Sequence, residues 1–212
     1  MVVVFRSVFA LIGWSTLILQ YGLHYVGRGG LSPFEQMLNY FSYFTILTNI
    51  AAATLLTLPV VARDRPIGRW ASTPGVRTAV AMFIMVVGLA YHFLLAATWD
   101  PQGLLYPVNM ILHYVMPLAM TVDWLVFTPK GRLRWVDPVK WLGFPLVYGV
   151  WTVVHGFAAG WWPYWFIDIQ TLGWGRALTH FAGLLIVFLI VGLSLVLVDR
   201  MLGRRDRTLA SA

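Results

Sequence analysis

Within eight residues of the stretch "YFSYFTILTNIAAA" (residues 40–53), Ser42, Thr45, Thr48 and Asn49 stand among aromatic and aliphatic neighbours. In hydrocarbon, each such polar group must find its partner inside the protein. At helical spacing, Ser42, Thr45 and Asn49 fall within about 60° of one another, and Thr48 widens the stripe on one side. A hydroxyl is a poor nucleophile until a base takes its proton, and a neutral imidazole suits that task. His113 in "NMILHYVMPLAMTVDW" is such a base; Asn109 shares its helix face and Pro117 follows one turn later. Acyl transfer also needs donors for an oxyanion, and Asn49, Asn109 and Tyr148 carry suitable groups. The competing reading of the stripe is structural. Ser and Thr bond back to the i−4 carbonyl, and beside Ala51, Ala52 and Ala53 they help helices approach.

The elements that must position these groups are legible in the composition. Of 212 residues, 59% are hydrophobic and 11% charged, against about a quarter charged in soluble domains. Lipid is therefore the solvent for most of the chain. The absence of cysteine excludes disulfides, thiolate metal sites and cysteine nucleophiles. Six apolar stretches, roughly 5–26, 38–61, 77–98, 105–128, 140–161 and 175–198, each approach the length of a bilayer-spanning helix. The expectation is an all-α polytopic membrane protein: one domain, 1–212, forming a bundle of six transmembrane helices. The first stretch, too long for a signal-peptide core, reads as a retained helix.

Basic residues cluster in the second loop (Arg63, Arg65, Arg69, Arg77), the fourth (Lys130, Arg132, Arg134, Lys140) and a short basic tail, 199–212. The first loop has Arg28 alone, the fifth Arg176 alone, and the third none. The positive-inside rule then places both termini in the cytoplasm. The net charge of +7 accordingly reflects membrane topology, with membrane lipid rather than nucleic acid as partner. Arginine-rich, lysine-poor usage suggests a bacterial source and its cytoplasmic membrane.

With that topology, His24, His92, His113, His155 and His180 all lie toward the outer leaflet, at the depth of Thr45, Thr48 and Asn49. Buried ionisable groups in membranes are functional candidates. Two facing imidazoles among His92, His113, His155 and His180 would ligate a single b-type haem, which makes a redox protein one alternative. A non-catalytic transporter or membrane scaffold is another, with Pro117 and Pro145 as helix breaks and Asp123 on an ion path. Asp123 is about 15 Å along the helix from His113, too far to orient it, and a pairing with a helix end or an internal base suits it better. The third and fifth loops, "WDPQGLLYP" and "GWWPYWFID", read as interfacial aromatic belts.

Residues 38–170 resemble the superfamily of androgen-induced and androgen-dependent TFPI-regulating proteins, six-helix membrane proteins. The resemblance rests on "FSYFTILTN", "LHYVMPLAMTVDW" and "YGVWTVVHGFAAGWWPYWF". The last carries Tyr148, Trp151, His155, Gly160, Trp162, Pro163 and Tyr164 in order. It implies a threonine hydrolase acting on acyl esters such as fatty acid esters of hydroxy fatty acids, without cofactor or metal. The implied nucleophile falls on Thr45, with Thr48 as the competitor, and the implied partner on His113. Ser42, Asn49, Asn109, Tyr148, His155, Trp162 and Tyr164 are expected to line the site.

Overall fold

The computed structural model describes residues 1–26 and 30–210, with side chains described as far as 204. Arg28 and the side chains of Arg205 and Arg207 lie outside the described residues. Among the described residues the secondary structure is helical: α1 (Val2–Val26), α2 (Pro33–Phe41), α3 (Phe44–Val61), α4 (Pro66–Ala71), α5 (Pro74–Ala90), α6 (Leu105–Met110), α7 (Met116–Phe127), α8 (Asp137–Trp141), α9 (Gly143–Ala159) and α10 (Ile169–Ala210). Two π-helical turns, Tyr91–Leu95 and Ile111–Val115, extend α5 and join α6 to α7. Six helical segments are long and apolar enough to cross a membrane: Val2–Val26, Phe44–Val61, Pro74–Leu95, Leu105–Phe127, Asp137–Ala159 and Ile169–Arg204. The chain is an all-α polytopic bundle. In α10, Gly173 interrupts the helix with φ +75°, a conformation open to glycine.

The bundle is centred on α3, α5 and α7, with α1 against α3 and α10 against α5. Leu55, Leu56, Met82, Ile84, Met116 and Met120 fill the interior. Met116 packs under Gly13 of α1, where an added Cβ would stand 2.8 Å from its terminal methyl.

Two expectations are corrected. The apolar stretch 38–61 is not one helix. It is α2, started by the reciprocal capping of Ser32 and Glu35 with Pro33 behind it, followed by a break at Ser42–Tyr43 and then α3. In an unbroken helix the Ser42 carbonyl would accept from the Ile46 amide. Here the Tyr148 hydroxyl donates to it at 2.9 Å, and the Ile46 amide turns to Tyr43 O instead. A partner from α9 thus satisfies the carbonyl that the break would orphan.

The second correction concerns Arg77, expected in the second loop. It lies within α5, 1% exposed. It pairs with Asp123 of α7, to which Arg6 Nε of α1 also donates at 2.7 Å. A buried carboxylate is costly unless paired, and the two guanidiniums answer that cost. Asp123 is accordingly an internal tie between three helices, with partners other than His113.

Candidate active site

The Ser42–Tyr43 break makes Thr45 the second residue of a new helix, where backbone amides lack intrahelical acceptors. The Thr45 side chain is buried, and its Oγ1 lies 3.5 Å from His113 Nε2. On the other side of the ring, His113 Nδ1 lies 3.0 Å from the Asn109 carbonyl. A carbonyl only accepts, so Nδ1 carries the proton, and in the neutral ring the Nε2 lone pair faces Thr45. The imidazole is therefore presented in the tautomer a general base requires. The 3.5 Å gap exceeds the reach of about 3.2 Å of a formed catalytic hydrogen bond, as is common before substrate tightens such contacts.

Four features hold His113 in place. It sits in the π-turn Ile111–Val115, a local widening frequent at functional sites. Pro117, lacking an N–H, cannot donate to the His113 carbonyl four residues earlier. Gly88 leaves room for that carbonyl, since a Cβ there would meet it at 3.0 Å. The Tyr91 ring, from the facing π-turn, stacks on the imidazole at 4.0 Å, and its hydroxyl accepts from Asn109 Nδ2 at 2.5 Å. Tyr91 and Gly88 were not among the residues expected at the site, because an apolar helix with a single tyrosine offers no spacing to mark them.

Tyr164 returns from the loop after α9. Its hydroxyl is 3.3 Å from both the amide nitrogen and Oγ1 of Thr45. Tyr164 lies outside the spanning segments, and desolvation pushes its phenol up to about 12, with the hydrogen bonds from Thr45 opposing the rise. It remains a neutral donor. With Tyr164 donating to Thr45 Oγ1 and Thr45 donating to His113 Nε2, every proton in the chain has an acceptor.

The other expected residues have different duties. Thr48 is fully buried, and its hydroxyl donates to the carbonyls of Phe44 and Thr45 at 2.9 and 3.2 Å. Asn49 Nδ2 donates to Thr45 O at 2.8 Å and across to Leu112 O at 3.1 Å, tying the start of α3 to the π-turn that carries His113. Tyr148, Trp151 and His155 form a stripe on α9 that clamps the break: Tyr148 to Ser42 O, Trp151 Nε1 to Ser42 Oγ at 3.0 Å, His155 Nε2 to Asn39 Oδ1 at 2.9 Å. Trp162 donates to Gln170 at 3.0 Å and covers Gly156, away from Thr45. The donors expected for an oxyanion, Asn49, Asn109 and Tyr148, are thus bonded elsewhere. The Tyr164 hydroxyl and the Thr45 amide, the amide donating to the hydroxyl at 3.3 Å, are the donors beside Thr45 Oγ1.

The remaining histidines have separate partners. His92 bonds to the Tyr114 hydroxyl, His180 to Phe166 O and His24 to Gln36 O, so each is anchored within its own surroundings. Among the described residues no cluster of three or more metal-ligating side chains occurs.

Two cavities meet at Thr45, Tyr91, His113 and Tyr164. One is a vestibule of about 320 Å³ between the loops, lined also by Gln20, Thr98, Trp99 and Asn109. The other, about 60 Å³, runs inward between Val87, Pro145, Phe166 and Phe188 and is almost wholly apolar. The Thr45–His113 pair therefore stands between a partly polar chamber and an apolar one. Compared with protein families, with curated proteins and with solved structures, the chain matches none.

Proposed function

We propose that this protein is an intramembrane hydrolase of acyl esters, with Thr45 as nucleophile and His113 as general base. The observation that carries this reading is the presentation of the His113 Nε2 lone pair to Thr45 Oγ1, with the opposite nitrogen locked on Asn109. The resemblance of "FSYFTILTN", "LHYVMPLAMTVDW" and "YGVWTVVHGFAAGWWPYWF" to threonine hydrolases of the androgen-induced superfamily supports the same pair.

Thr45 Oγ1 attacks the ester carbonyl carbon while its proton passes to His113 Nε2. Negative charge develops on the carbonyl oxygen, and the Thr45 amide and the Tyr164 hydroxyl donate to it. The positive end of the α3 dipole favours the same charge. As the intermediate collapses, the carbon–oxygen bond to the alcohol breaks, and His113 returns the proton to the departing alkoxide. An acyl-threonine remains. Water from the vestibule attacks it, again giving a proton to His113, and the acid leaves as Thr45 is reprotonated. Each donor to a developing oxyanion contributes about 10²–10³ in rate in enzymes of this type. Neither cofactor nor metal takes part.

The distribution of basic residues supports cytoplasmic termini and an active pair in the extracytoplasmic half of a bacterial cytoplasmic membrane. Acyl esters such as fatty acid esters of hydroxy fatty acids fit a site between an apolar and a partly polar chamber.

The test is labelling of the purified protein by a fluorophosphonate probe, which reacts with activated hydroxyl nucleophiles. Labelling lost in both Thr45→Ala and His113→Ala, with both variants eluting as folded protein, is the expected result. Full labelling of Thr45→Ala would overturn the assignment.

A further inference from the structure

The inner cavity shares a wall with a second apolar recess. Its wall on the α9–α10 side includes Ile167 and Phe181, and these two residues also line a separate groove of about 450 Å³ on the outside of the bundle. That groove runs between α9 and α10, bordered by Val147, Val150, Val154 and Leu178, all more than half exposed. In a chain of six membrane-spanning segments, these side chains face lipid hydrocarbon. Among the described residues lining the groove, the one polar side chain, Thr152, is occupied by its bond to Tyr148 O at 2.9 Å. Nothing there would hold a polar ligand.

The Phe181 ring and Ile167 therefore form a wall shared by the lipid-facing groove and the cavity that reaches Thr45. The ring lies directly on the backbone of α9. A Cβ on Gly149 would fall 2.5 Å from its Cζ, so a larger residue there would displace the ring. α10 packs chiefly on α5 and only sparsely on α9, so the seam beside Phe181 is the least tied of its contacts. A phenylalanine can swing by rotamer change on a short timescale without unfolding either helix.

We infer that Phe181 is the gate through which one acyl chain passes laterally from the bilayer, between α9 and α10, to lie in the inner cavity with its carboxyl end at Thr45. The alcohol part of the ester then occupies the vestibule, where water is at hand. The gate selects substrates by the chain that must thread it, and Gly149 sets how tightly it closes. The chemistry at the end of this route rests on the hydrolase reading; the acyl site itself does not.

The experiment uses the full chain in phosphatidylcholine nanodiscs, with Thr45→Ala as background to prevent turnover. The probe is a palmitate ester carrying a diazirine at the far end of its chain. After irradiation, the expected adducts lie on peptides holding Leu184 and Phe188 as well as those holding Val150 and Leu178. Phe181→Trp is expected to lower the deep adducts by about tenfold, as overfilling a closed gap does, while those in the groove persist. Phe181→Ala, which opens the gap, is expected to raise them. Both variants are checked for monodisperse elution. Deep adducts unaffected by both variants, or adducts confined to the vestibule, would overturn the gate. If wild-type protein hydrolyses the ester yet yields no deep adducts, the route fails and the hydrolase stands. If the deep adducts follow Phe181 as stated yet wild-type protein hydrolyses no ester, the gate stands and the hydrolase fails.

Discussion

The Tyr164 hydroxyl lies 3.3 Å from both the amide nitrogen and the side-chain oxygen of Thr45. A loop residue thus meets a nucleophile candidate at the first turn of α3, opposite the imidazole of His113. Tyr164→Phe keeps the ring stacked on Phe166 at 5.2 Å and removes only the hydroxyl, which accepts from the Thr45 amide and bonds to Thr45 Oγ1. Its expected effect is a fall in kcat of about 10²–10³ with KM little changed, read from steady-state hydrolysis of a chromogenic ester.

The same phenol predicts a feature of the pH profile. Because burial holds Tyr164 at about 12, against about 10 for an ordinary tyrosine, it stays protonated through the neutral and mildly alkaline range. The raised value is a folded-state preference for the neutral form. Its contribution to stability is therefore complete below pH ~10 and is lost as pH rises toward ~12. Alkaline melting curves of Tyr164→Phe are expected to fall less steeply over that window than those of wild type. Equal slopes would contradict the assignment.

Pro117→Ala tests whether the π-turn serves the site. The new N–H would be free to bond to the His113 carbonyl and close the turn to ordinary α-helix. The expected outcome is a Tm unchanged or raised, with kcat reduced by about tenfold or more as the ring turns from Thr45. A drop in both would mean that Pro117 is merely structural.

Asn49→Ala removes the tie between Thr45 O and Leu112 O. Leaving a buried group unsatisfied costs about 1–3 kcal/mol, so thermal or denaturant unfolding should show a loss of that size, accompanied by a lower kcat.

Asp123→Asn leaves buried Arg77 and half-buried Arg6 without their countercharge. Breaking a buried pair costs about 3–5 kcal/mol, and denaturant titration should register it. Arg77→Met added to Asp123→Leu should recover part of the loss, because it removes a stranded charge. Activity per folded molecule should change little, since Asp123 has partners other than the candidate site.

Much of the architecture is readable from hydropathy, because a segment that crosses lipid must be apolar along its length and satisfy its own backbone. The six spans follow from that alone. The juxtaposition of the Thr45 hydroxyl with His113 is foreshadowed by residue types and shared depth. The break at Ser42–Tyr43 is not, since 38–61 is apolar throughout and the break depends on Tyr148, Trp151 and His155, a hundred residues away. Arg77 resembles loop charge because it follows "STPG", and only its long stem lets it reach Asp123. Tyr164 sits in a run of aromatics whose composition suggests an interfacial belt; the resemblance alone marks it as special. Asn49, Asn109 and Tyr148 have the right groups for oxyanion donors, but hydrogen-bonding capacity in a sequence does not reveal which acceptors the fold has already assigned.

The most direct measurement is the site of covalent attachment. Purified protein in nanodiscs is reacted with a fluorophosphonate, digested, and the modified residue located by fragment-ion mass spectrometry. The phosphonate is expected on Thr45, absent in His113→Ala, and retained in Thr48→Ala, where the lost hydroxyl is one bonded to its own helix. An adduct on Thr48 or on any other residue, or adduct formation on Thr45 undiminished without His113, would contradict that expectation.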